Sequence, residues 1–116
     1  MPKADNLAGF ETLVLLAVLR LQQTDNAYGA TIARELETRT SRWILVPAVY
    51  ESLETMRKKG FLVCRQEAEP TPLRGGKRRR FYKLTAEGET VLNLAVRDVF
   101  SLAEGLPLWG DIRNGS

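Results

Sequence analysis

Arg74, Lys77, Arg78, Arg79 and Arg80 crowd into one short stretch, and no acidic side chain lies among them. Guanidinium and ammonium groups at that density neutralise phosphates, so the chemistry they suit is the grip of a polyanion. Gly75 and Gly76 sit inside the run, and residues without a Cβ let a backbone come close to a large ligand. Arg74, Lys77 and Arg78 form the tip of this segment. Arg79 and Arg80 enter a strand, where successive side chains point to opposite faces, so the two are expected to act differently. Taken alone, such a run reads equally well as a solvated basic turn. Its surroundings must decide.

Other chemistry is scarce. The chain has no histidine and one cysteine, Cys64, which removes histidine triads, the common zinc spacings and any internal disulfide. Cys64 falls in an alternating strand and reads as a small apolar residue rather than a redox sensor. The carboxylates are scattered without a metal-like cluster. No nucleophile, base and orienting partner can be assembled, so the expectation is a protein that is not an enzyme and holds no metal or cofactor. The apolar run from Leu13 to Leu19 is far shorter than the ~18 residues a membrane span needs. It also lacks the flanks of a signal peptide. A cytoplasmic protein with no membrane partner is expected. With 116 residues, 44% hydrophobic and 27% charged, and a net charge of +3, the chain suits one compact domain.

The elements that must carry the basic run follow from periodicity. Phe10 to Leu21 reads as a first helix that is apolar nearly all round, which asks for cover on more than one side. A second subunit is the expected cover. Asn26 is the expected cap of a second helix from Tyr28 to Arg39, with Tyr28, Ile32 and Leu36 inward. Gly29 in its first turn is a loss unless a neighbouring backbone approaches closely there. A connector containing Trp43 leads to a third helix that starts at Pro47, buries Val49, Leu53 and Met56, and stops at Gly60. Two strands follow, Leu62 to Glu67 and Arg79 to Leu84, joined by a long tip rich in Pro and Gly. Thr85 caps a fourth helix with the apolar stripe Leu92, Ala95, Val96, Val99, Leu102 and Ala103. This order predicts a mainly α fold with a small β-hairpin wing, a winged helix-turn-helix over 8–84. A C-terminal dimerisation helix over 85–104 and an irregular tail over 105–116 complete it.

Four motifs in that order resemble the PadR family of transcriptional regulators. Tyr28-Gly29 looks like the family's opening of the second helix. Tyr50-Glu51-Ser52-Leu53-Glu54, followed by Lys59-Gly60-Phe61-Leu62, resembles its recognition helix and exit into the wing. Arg74 to Gly88 looks like its wing tip, second strand and start of the last helix. The resemblance spans roughly residues 8 to 100. It implies a homodimer that represses transcription from a pseudo-palindromic duplex DNA operator, relieved by a ligand or stress signal. The family often carries a Ser and a Gly just before the recognition helix, where this chain has Leu45-Val46-Pro47. Some small members hold flat drugs between tryptophans of the last helix, and none stands between residues 86 and 104 here.

The expected DNA-contacting set is Pro47, Ala48, Tyr50, Glu51, Thr55 and Lys58 on the third helix, with Arg74, Lys77, Arg78 and Arg79 on the wing. Glu51 can accept from cytosine and Thr55 can meet a thymine methyl. The resemblance assigns Tyr50 to phosphate. The expected dimer seam is Leu15, Leu19, Leu92, Val96, Val99 and Leu102. Trp43 and Trp109 read as buried anchors of the connector and tail. The alternative for Trp109, with Phe100, is a small-molecule effector site at the dimer centre. Two rival functions share the fold: a protein-interaction module whose wing grips an acidic partner, and a binder of structured RNA.

Overall fold

The computed structural model describes residues 7–68 and 78–107. Helix α1 (Gly9–Gln22), α2 (Gly29–Arg39) and α3 (Val46–Lys58) precede strands β1 (Leu62–Gln66) and β2 (Arg80–Leu84), and α4 (Ala86–Ala103) closes the series. The strands pair antiparallel, with Leu62 opposite Leu84 and Cys64 opposite Tyr82. The winged helix-turn-helix expected from periodicity is therefore present, in the expected order.

Helix α1 is the hub. It packs against α2, α3, β2 and α4, and Val14, Leu15, Ala17 and Val18 are buried. Its all-round apolar character is thus used largely within the chain. Leu15, expected at a dimer seam, is fully enclosed by the chain's own elements. Leu92 is likewise buried in the same core cluster. These two assignments are corrected, because a side chain covered on all sides by its own fold has no surface left for a partner.

Local chemistry sets the helix ends. Tyr28, not Asn26, is the N-cap of α2. Its N–H donates to Thr31 Oγ1 at 3.1 Å, and that hydroxyl donates to the Asn26 carbonyl at 2.6 Å. At the end of α3, Gly60 adopts φ +87°. The Phe61 N–H reaches the Met56 carbonyl at 2.9 Å and the Gly60 N–H reaches Arg57 at 3.0 Å, the paired bonds of a Schellman ending. Thr85 caps α4 as expected: its Oγ1 accepts from the Gly88 N–H at 2.9 Å and donates to the Gly60 carbonyl at 2.7 Å. One hydroxyl so joins the exit of α3 to the entry of α4.

The hairpin is anchored on the α1–α2 turn. The Tyr82 N–H donates to the Ala27 carbonyl at 2.8 Å, Tyr28 bridges Phe81, and the Leu84 N–H donates to Gln22 Oε1 at 2.9 Å. The wing is therefore held in fixed relation to the start of α2. That relation shapes the surface described next.

Candidate nucleic-acid interface

Helix α3 buries Val49, Leu53 and Met56, as expected. That leaves Pro47, Glu51 and Lys58 on the opposite, solvent-facing side, with Tyr50 also exposed and Ala48 and Thr55 half-buried. The expected recognition stripe is thus presented along one helix face. Arg78 and Arg80 are exposed and Arg79 is half-buried. Arg74, Lys77 and Trp109 lie outside the described residues.

Between α3, the start of α2 and the base of the wing lies a cleft of about 630 Å³, bordered by Tyr28, Arg34, Tyr50, Glu54, Arg78, Arg79 and Arg80. β2 begins at Arg80, so strand alternation does not separate Arg79 from Arg80, and both border this cleft. They still differ. The Arg79 guanidinium lies over the Tyr28 ring at 4.2 Å, and its Nε is buried without an acceptor among the described residues, while the Arg79 backbone N–H donates to Glu67 Oε1 at 3.0 Å. Arg80 instead faces Glu54, 4.0 Å away. The Tyr28 ring meets Phe81 edge-on at 5.4 Å, and Arg65 covers Phe81 at 4.6 Å. This alternation of cations and rings stiffens the base of the wing.

Tyr50 projects across the cleft onto α2. Gly29 is what makes room, because a Cβ there would collide with the Tyr50 ring and hydroxyl. The close neighbour expected at Gly29 is thus a side chain rather than a backbone. Among the described residues Glu54 is the one acid bordering the cleft. Arg57 binds it through Nε and Nη2, at 2.6 Å for the shorter contact, and this hydrogen bonding holds the Glu54 carboxyl below its ordinary range. Burial pushes the Tyr82 phenol up.

Arg34 and Glu54 were not anticipated as site residues. The signal for Arg34 was available: it follows Ala30 by one helical turn, on the face of α2 opposite Ile32 and Leu36. Glu54 has no comparable signal, since its place depends on how far the wing leans over α3.

Trp43 corrects another expectation. It is 90% exposed, and the buried anchor of the connector is its neighbour Ile44. On α4, Leu92 enters the core, while Val99 and Leu102 further along the stripe are 61% and 83% exposed. Leu19 and Val96 pack at the core margin, and Phe100 is exposed. Among the described residues no cluster of metal-ligating side chains occurs, and no helix is long and apolar enough to cross a membrane.

The sequence model of the transcriptional regulator PadR-like family matches residues 15–94. A PadR-like transcription factor from Bacteroides fragilis is 26% identical, with a TM-score of 0.65 over 82% of this chain and 84% of its own. A PadR family transcription regulator from Clostridium difficile shares 23% identity and the fold, with a TM-score of 0.60 over 84% of this chain and 100% of its own. The fold recurs in a PadR-like transcriptional regulator from Bacillus cereus at 16% identity, TM-score 0.62, over 92% and 93% of the two chains. No curated protein matches the sequence.

Proposed function

The chain belongs to the transcriptional regulator PadR-like family, and on that premise we propose that it represses transcription as a homodimer that grips duplex DNA with α3 and the wing. The family is one of regulators rather than enzymes. The observation that carries the DNA reading is the cleft beside α3, where Arg34, Arg78, Arg79 and Arg80 converge on one side of the recognition stripe. A phosphate backbone running along that cleft meets guanidinium groups, while Glu51 and Thr55 face base edges. Tyr50, exposed beside the cleft, offers its hydroxyl to the same backbone.

Dimerisation is supported by α4. Its apolar stripe begins inside the core at Leu92 and continues beyond it as Val99 and Leu102, an exposed surface that a second copy would cover. Leu16 and Leu94 add exposed apolar area. A ligand lodged in such a seam, against Phe100, would change the spacing of the two α3 helices and so relieve repression. Coupling of that kind is typically about 1–3 kcal/mol.

Competition decides the DNA reading. Random-sequence duplex DNA should displace a labelled duplex at moderate salt, whereas duplex RNA should compete far less, because its major groove does not admit a helix. Displacement by an acidic protein but not by DNA would replace this reading with a protein-binding wing.

A further inference from the structure

The entrance to α3 is apolar where a nucleic-acid surface is usually polar. Leu45, the N-cap, is 62% exposed and Val46 is 44% exposed, and Pro47 beside them is also exposed. Trp43 extends this ledge, and together with Leu45 and Ala48 it borders a shallow depression that Arg42 also lines. Exposed apolar side chains gathered into one contiguous patch, rather than scattered singly, mark a surface that meets a partner. The core has no use for them, since Ile44 and Val49 already fill the positions that face inward.

Position says what the cover is. A helix-turn-helix places the first residues of its recognition helix against base edges in the major groove, and this ledge is those residues. Arg42 lines the same depression as Trp43 and Leu45, and Tyr50, one turn along α3 from Val46, borders the cationic cleft, so cations a duplex could meet with its phosphates stand near the ledge. Aliphatic side chains can neither donate to a phosphate nor accept from an amino group. The apolar group that a duplex displays in its major groove is the C5-methyl of thymine.

Resting on the DNA reading above, we propose that Leu45, Val46 and Pro47 form a thymine-methyl reader that sets part of this protein's sequence preference. Glu51, one turn further along, accepts from cytosine on the adjoining step. The preferred site then carries thymine where the helix enters and a cytosine beside it.

The test uses the full chain and duplexes it selects from a random library. Each thymine of a selected duplex is replaced in turn by deoxyuridine, which removes the methyl and keeps the base pair. At one or two positions in each half-site, affinity should fall about fourfold, the effect of uncovering one methyl-sized group at ~0.8 kcal/mol. A Leu45→Ser/Val46→Ser variant alters only exposed positions, and circular dichroism should report an unchanged fold. It should bind thymine and uracil duplexes equally, at the affinity the wild type shows for uracil.

Indifference of the wild type to every replacement overturns the proposal, as does wild-type discrimination in the variant. So does a variant that sediments differently and loses affinity for both duplexes alike, since the ledge then joins two copies of the chain. If the wild type retains no duplex from the library, the DNA reading itself fails. If it retains duplexes without regard to the methyl, only the reader fails.

Discussion

Gly29 and Gly88 both earn their place by close approach, and they should fail in different ways. A Cβ on Gly88 would strike the Phe61 carbonyl, which is backbone and cannot step aside. Gly88→Ala should therefore destabilise the fold by about 1–3 kcal/mol, as overpacking does, read from denaturant midpoints. At Gly29 the obstacle is the Tyr50 ring, half exposed and able to swing. Gly29→Ala should leave the fold near wild type and instead lower DNA affinity by displacing Tyr50. If Gly29→Ala unfolds the chain, Tyr50 is a packing residue. The Glu54 carboxyl gives a signed pH effect. Arg57 lowers its value in the folded state, so its contribution is complete above the ordinary glutamate range. It is lost as pH falls through the lowered value. Glu54→Gln should flatten that part of an acid titration of stability. Thr85 as a cap and Gly60 as a stop were legible in the sequence because their bonds are local. Trp43 was misread because aromatic bulk argues for burial in general, whereas the short connector gives its inward place to Ile44.

Among the elements, α1 and α4 show where periodicity informs and where it stops. The apolar wrap of α1 was correctly read as needing cover on several sides. What sequence alone could not say is that α2, α3, β2 and α4 provide nearly all of it, which withdraws Leu15 from the seam. On α4 one stripe serves two purposes. Leu92 lies in the core, so Leu92→Ala should destabilise the chain by about 2–5 kcal/mol. Val99 and Leu102 lie beyond it, so Val99→Glu should keep the fold, by circular dichroism, and yield a monomer by sedimentation at micromolar concentration. A Val99→Glu chain that still sediments as a dimer would move the seam elsewhere. The boundary between these halves depends on the distance at which α1 and β2 end, a tertiary quantity that a stripe of apolar residues does not contain.

At the scale of the whole molecule, the proposed DNA surface needs the wing and α3 together. The basic run was legible as charge, and the fold supplies what charge alone lacked: Arg78, Arg79 and Arg80 border one cleft with Arg34 and Tyr50. In the proposed dimer the two α3 helices would meet successive major grooves about 34 Å apart. The measurement that tests this most directly is the salt dependence of affinity for random-sequence duplex DNA, wild type against Lys77→Ala/Arg78→Ala. Log affinity should fall linearly with log salt, and the variant should flatten the slope by about one to two units for each protomer touching DNA, whatever the sequence. A variant that binds as tightly as wild type, with the same slope, would show the basic wing to be a solvated turn and contradict the account.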